Sequence, residues 1–164
     1  LFSPGVLTSM WGAQVRSLAA DLGIELDEIQ ERHENWVTPN PIDCTMMRVE
    51  PGHVGAVKFG VDGLRDGRAV ITMEHVNRLT EAAAPDWPFP PDGHPGVHRV
   101  VVDGSPGIEI NTHVGISGID HNQGGVIATA ARAVNVIEAV CGAPSGLLAA
   151  RDLRAADHVR GVMW

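Results

Sequence analysis

The chain has 164 residues, 44% of them hydrophobic, which is enough for one domain with a core of its own. Its net charge of -8, with Lys58 the single lysine among twelve basic residues, speaks against a phosphate-tracking surface for DNA, RNA or anionic lipid. Two distant cysteines, Cys44 and Cys141, make no CxxC pair, so they are expected to be buried small apolar residues rather than a zinc or dithiol site.

In chain order, Ser3-Pro4-Gly5 is turn chemistry. Leu7, Trp11, Val15, Leu18 and Leu22 then recur at helical spacing up to Gly23, which predicts a first helix. The stretch from Ile24 to Thr38 is mixed, and its pattern allows a helical turn around Leu26 to Ile29 followed by a strand ending before Pro39. Ile42, Cys44 and Met46 alternate with Asp43, Thr45 and Met47, a short strand ending at Pro51-Gly52. From Val54 the alternation strengthens, with Val57, Phe59 and Val61 on one face and Ala56, Lys58 and Asp62 on the other. Asp66-Gly67 is a hairpin turn, and Ala69 to Leu79 returns as the partner strand.

The segment EAAAPDWPFPPDGHPG is too rich in Pro, Gly and Asp to continue a sheet, so a surface loop of the kind that often binds or covers ligands is expected. Val97 to Asp103 and Ile108 to Val114 form a further hairpin. Ile127, Ala130, Ala131, Val134, Ile137 and Cys141 mark a last long helix, with Asp120 or Asn122 near its start and Gly142 and Pro144 after its end. There is no internal repeat. The whole, residues 1–164, is expected to be a single α+β domain with a mostly antiparallel open sheet covered on one face by helices. Apolar residues on both faces of those strands would call for a partner sheet, hence a homo-oligomer, most simply a dimer. No apolar run long enough to span a bilayer and no leader are seen, so no membrane partner and a cytoplasmic setting are expected. The start at Leu1 rather than Met reads as the middle of a longer polypeptide.

The chemistry is concentrated in TMEHVNRL. On a strand, Ile71, Met73, His75, Asn77 and Leu79 point one way, and Val70, Thr72, Glu74, Val76 and Arg78 the other. Spacing leaves two readings open. In one, Glu74 and Arg78 are ordinary surface charges and His75 and Asn77 satisfy each other or the backbone. In the other, His75 and Asn77 orient a small molecule in a pocket. Trp87, within Asp86-Trp87-Pro88-Phe89, either closes that pocket or packs on the sheet. His94 and His98 are HxxxH-spaced, but Pro95 and Gly96 intervene and no third ligand converges, so no metal site is expected. No GxSxG elbow and no Gly-rich phosphate loop is present.

The runs IELDEIQERHE, PGHVGAVKFGVDGLRDGRAVITMEHVNRL, GVHRVVVDGSPGIEI and GGVIATAARAVNVIEAVCGAPSGLL together resemble the C-terminal half of dihydrodipicolinate-reductase-like proteins. Within that superfamily the resemblance is to the 2,4-diaminopentanoate dehydrogenase and native amine dehydrogenase branch, and it covers nearly the whole chain. It implies a two-domain oxidoreductase acting on CH-NH2 groups, in which an N-terminal Rossmann domain, absent from this chain, binds NAD or NADP and carries the acidic catalytic residue. This chain would then be the C-terminal domain, inactive alone and without cofactor of its own. It would form the dimer interface and a wall of the cleft for an amine or carbonyl substrate, lined by His75, Asn77 and Trp87. The resemblance also implies that the last helix, returning toward the nucleotide domain, leaves Val134, Ile137 and Leu147 partly exposed without it.

The resemblance stops short of dihydrodipicolinate reductase proper. Ala143-Pro144-Ser145-Gly146 follows the last helix, with no His-His pair and no lysine nearby, and the chain lacks a GxGxxG fingerprint. A non-catalytic ligand-binding or dimerisation module is the alternative that the residues leave open.

Overall fold

The computed structural model describes residues 3–44, 47–90, 96–114, 121–149 and 152–153. They fall into two compact units, Leu1–Pro88 and Phe89–Trp164.

The first unit begins with helix α1, Val6–Leu22, which ends at Gly23 in the left-handed conformation, its N–H returned to the carbonyls of Ala19 and Ala20. The buried stripe of α1 is Leu7, Gly12, Val15 and Ala19, with Trp11 packed beside it. Leu18 and Leu22, expected on that stripe, are exposed. Three antiparallel strands follow in the spatial order β1-β4-β5: β1, Glu28–Val37; β4, Val54–Arg65; and β5, Arg68–Arg78. The helical turn allowed around Leu26 to Ile29 does not form. Ile29 instead enters β1 opposite Gly63, where it packs on the core under α1. Between β1 and β4 lies a small ribbon of β2, Ile42–Asp43, and β3, Arg48–Val49. It is shorter than the strand expected there, and Thr45 and Met46 lie outside the described residues.

The β4-β5 hairpin is tight because Asp66 and Gly67 both take positive φ, 53° and 70°, as a two-residue turn between right-twisted strands requires. It brings Val61 and Ile71 under Leu7, Val15 and Ala19, and this is the main core. Gly63 permits the closest approach of helix and sheet: a Cβ there would lie 2.9 Å from Val15 and from Leu26. The other face of the sheet carries a smaller cluster of Ala56, Ala83, Ala84 and Trp87, with Trp36 and Val76 against it. Residues 79–88 therefore fold down onto the sheet rather than standing off it as a surface loop.

The second unit contains the expected hairpin, β6, His98–Val102, paired with β7, Ile108–Thr112, across a turn with a cis Ser105-Pro106 bond. Its helices are α2, His121–Asn135, and α3, Ile137–Cys141. The long helix expected from the sequence is thus interrupted at Val136. The helical stretch Gln123–Cys141 is nevertheless long and apolar enough, by length and composition, to cross a membrane. This corrects the expectation that no such run exists, and length and composition are the whole of that correspondence. Asp120 lies outside the described residues.

The α+β class and the antiparallel pairing are as expected, with α1 on one face of the main sheet. The strands divide among a three-stranded sheet and two separate ribbons, where one open sheet was expected.

Candidate functional site

Helix α1 covers only part of its face of the sheet. Beneath it lie the cross-strand rows Ile29–Gly63–Ile71 and Glu31–Val61–Met73. Beyond Trp11 the next two rows are His33–Phe59–His75 and Asn35–Val57–Asn77, in which all four polar residues are exposed and Phe59 and Val57 are half-buried. Strands β1 and β5 are both antiparallel to β4, so they run in the same direction. The tripeptides His33-Glu34-Asn35 and His75-Val76-Asn77 therefore flank β4 in matching register.

Aromatic packing ties this floor to the helix. Phe59 stacks on Trp11 with centroids 5.2 Å apart, and His75 lies 5.1 Å from Phe59 and edge-on to Trp11 at 6.4 Å. On the β1 side, His33 Nε2 lies 3.1 Å from Asn35 Oδ1. That contact is a hydrogen bond when Nε2 carries the proton, and it leaves the Asn35 amide N–H groups as the donors on offer. One row back, the Glu31 carboxylate accepts the N–H of Thr8 at 2.5 Å and of Gly5 at 3.1 Å, capping α1 from another strand. These bonds, that from Thr8 foremost, hold the Glu31 carboxyl below its usual range. An open depression lined by Pro4, Leu7, Glu31, Arg32 and His33 lies at this end of the helix.

The opposite face of the sheet is an ionic layer. Arg32 donates Nε–H to buried Asp62 at 2.5 Å and Nη1–H to Glu74 at 2.7 Å, while the Thr72 hydroxyl donates to Asp62 at 2.6 Å. These partners, Asp62 foremost, raise the Arg32 guanidinium above its ordinary value. Next to them Lys58 pairs with Glu34 at 2.6 Å and sits 4.8 Å from the Trp87 ring centroid. Trp87 Nε1–H donates to Glu34 at 3.1 Å, and Lys58 and then Trp87 lower the Glu34 carboxyl. Arg78 fastens the following segment, donating to the carbonyls of Ala83 at 2.9 Å, Ala84 at 3.4 Å and Pro88 at 2.9 Å. Partial burial pushes its guanidinium down. Ala84 is held there with φ 49°, a conformation seldom taken by a residue with a Cβ.

The residues singled out from the sequence therefore occupy two places. His75 and Asn77 share the α1 face, whereas Trp87 is buried on the other face against Ala56, Lys58 and Val76. Of the two arrangements open to Trp87, the observed one is packing on the sheet. Glu74 and Arg78 are not idle surface charges, since each is engaged as above. His33 and Asn35 are not among the residues singled out from the sequence, although the HxN repeat is a visible signal, because the mixed pattern from Ile24 to Thr38 marks no clear strand around them. His94 lies outside the described residues, and His98 is exposed on β6 opposite Thr112. Cys44 is half-buried and Cys141 exposed, so neither is the buried residue expected. Among the described residues, no three His, Cys, Asp or Glu side chains cluster closely enough to hold a metal ion.

The described residues do not fit a dinucleotide of the Rossmann type either. All their strand pairs are antiparallel, and no strand, glycine turn and helix combine to point a helix N-terminus at a pyrophosphate.

Among the described residues, a helix-backed antiparallel sheet with a partly uncovered polar floor defines the class of an α+β domain. The family model described as 2,4-diaminopentanoate dehydrogenase C-terminal domain matches residues 11–163, and the chain belongs to that family. A Streptomyces virginiae protein named "Amine dehydrogenase" is 38% identical over 154 residues, 93% of this chain and 43% of that protein. The solved structure of amine dehydrogenase from Mycobacterium smegmatis resembles the fold with a TM-score of 0.54 at 15% identity, over 92% of this chain and 38% of that one. The chain thus spans less than half the length of either relative. The resemblance read from the sequence is borne out at the level of this branch.

Proposed function

We propose that this chain is the substrate-side C-terminal domain of an NAD(P)-dependent oxidoreductase that interconverts an amine with the corresponding carbonyl compound and ammonia. The observation that carries the reading is the 38% identity with the Streptomyces virginiae amine dehydrogenase over 93% of the chain. The nicotinamide cofactor supplies or accepts the hydride. Because the described residues do not fit it, it is held by residues outside them, in a Rossmann domain of the same longer protein.

What this chain contributes in that reading is a wall. Phe59 and Val57 offer an apolar surface, and His75 and Asn77 offer hydrogen bonds at its β5 edge, so a small amine or ketone is oriented there with water partly excluded. Trp87 acts from the other side of the sheet, holding Lys58 and Glu34 and so stiffening the strands behind that wall. The intact protein is a homo-oligomer. This is supported by the β6-β7 ribbon, whose one face exposes Val100, Val102, Ile108 and Ile110, since a two-stranded ribbon with an uncovered apolar face is marginal alone.

The test is turnover by the full-length protein with NADH or NADPH, ammonium and short ketones, with His75→Ala beside wild type. Turnover by wild type, with a His75→Ala loss much larger than any change in melting temperature, supports the reading. A variant with normal kinetics and a lowered melting temperature would make His75 a packing residue of the Trp11–Phe59 cluster.

A further inference from the structure

On the face of the sheet turned away from α1, the row Arg32–Gly60–Glu74 adjoins the row His33–Phe59–His75 residue by residue on all three strands. Arg32 rises from β1 and donates Nε–H to Asp62 of β4 at 2.5 Å and Nη1–H to Glu74 of β5 at 2.7 Å. One side chain thus ties the three strands together. Its guanidinium crosses β4 over buried Gly60, where a Cβ would lie 3.2 Å from Arg32 Nη2 and 2.7 Å from the Met73 carbonyl oxygen. The missing side chain at Gly60 leaves room for that crossing. The Thr72 hydroxyl donates to Asp62 at 2.6 Å, so the carboxylate that orients Arg32 is itself held.

Strand β5 gains most from such a tie. Among the described residues it is an edge strand, paired through its backbone with β4 alone, and His75 directly follows Glu74. On the α1 face the His75 ring meets Phe59 and Trp11, and contacts between rings fix direction less sharply than a charge-assisted hydrogen bond does. Successive side chains leave a strand on opposite faces, so a grip on Glu74 sets the backbone from which His75 departs. We infer that Arg32 is a positioning residue: by holding Glu74 across β4, it fixes the direction in which His75 meets the substrate. This inference rests on the proposed function, since it takes His75 as a residue that orients the substrate.

The experiment is reductive amination by the full-length protein, with the ketone that wild type turns over fastest among acetone, butan-2-one, pentan-2-one and cyclohexanone, well below the melting temperature of every variant. Arg32→Lys keeps the charge, but an ammonium does not span both carboxylates. It is expected to lower kcat about 10-fold, as for an orienting group displaced by a fraction of an ångström, with KM for the nicotinamide cofactor unchanged. Glu74→Ala should do the same, whereas Glu74→Gln, which keeps an acceptor for the guanidinium, should retain most of the rate. Because Arg32 acts through His75, Arg32→Lys should change kcat little in a His75→Ala background. Losses that simply multiply in the double variant, Glu74→Gln as slow as Glu74→Ala, or Arg32→Lys as fast as wild type overturn the inference.

If wild type turns over none of these ketones, the functional reading fails separately, and the His75 ring decides the positioning. Its resonances in the full-length protein, assigned by their loss in His75→Gln, should move in Arg32→Lys and in Glu74→Ala and stay in place in Glu74→Gln. Resonances unmoved in Arg32→Lys, or moved as far by Glu74→Gln as by Glu74→Ala, overturn the role given to Arg32.

Discussion

Residues Leu1–Pro88 and Phe89–Trp164 handle apolar surface in opposite ways. In the first unit α1 seats Leu7, Val15 and Ala19 on Val61 and Ile71, and a second cluster forms around Trp87 on the sheet's other side. In the second unit every residue of β6 and β7 is exposed, and Val126, Ile127, Val134, Ile137 and Leu147 are exposed along and after α2. Among its described residues no hydrophobic side chain is buried. The first unit contains both sides of its own core. The second leaves its large apolar side chains, Val134, Ile137 and Leu147 among them, uncovered among the described residues. The difference teaches that hydrophobic composition sets how much surface must be covered, while its cover need not come from the same unit.

That contrast can be broken by mutation. Leu7→Ala should cost roughly 2–4 kcal/mol in urea unfolding of the chain, as for a large-to-small change in a closed core. The same measurement on Val134→Ala should stay within about 0.5 kcal/mol. An equal cost at the two positions would mean that the second unit has a core of its own. Next in size is Asp62→Ala, which strands Arg32 and Thr72 and should cost about 2 kcal/mol, less than for a fully buried pair because Arg32 is partly in water. Asp62→Asn, which keeps the acceptor for Thr72, should cost less.

Arg78→Lys should cost about 1 kcal/mol, because an ammonium cannot span the three carbonyls that the guanidinium reaches. Limited proteolysis should then cut more quickly between Thr80 and Pro88, sharpening the view that this segment belongs to the first unit. The smallest effect is on pH dependence. Glu31 and Glu34 have carboxyls lowered from 4.5 by partners in the fold. Their stabilisation is therefore complete above that value and lost as pH falls below it, through the folded-state values. Acid titration of Glu31→Gln should show a shallower fall in stability below about pH 4.5 than wild type. A fall just as steep would place the acid sensitivity elsewhere.

Much of this was legible in the residues. The alternation of Val57, Phe59 and Val61 against Ala56, Lys58 and Asp62 is the two-faced strand β4, because period two is a property of the extended backbone alone. Asp66-Gly67, Gly23 and the β6-β7 hairpin follow likewise from local turn and cap chemistry. Strand β1 was half legible, since its Glu28 to Asn35 run is polar on both faces and carries no periodicity strong enough to overrule a helical turn. The candidate site was legible on one side only. His75 and Asn77 stood out on a well-marked strand, while His33 and Asn35 stood on the ambiguous one.

The sequence by itself thus determined most of the local elements, the family and the polar end of β5. Those depend on residues close together in the chain or on a pattern carried along its whole length. Tertiary structure decided the register that sets His33 and His75 on either side of Phe59, the Arg32–Asp62 pair behind them, and the burial of Trp87 on the face away from His75. Each of these joins residues ten to more than fifty positions apart. Such pairings are fixed by which surfaces meet when the strands align and the 79–88 segment folds back, and no local spacing records that choice.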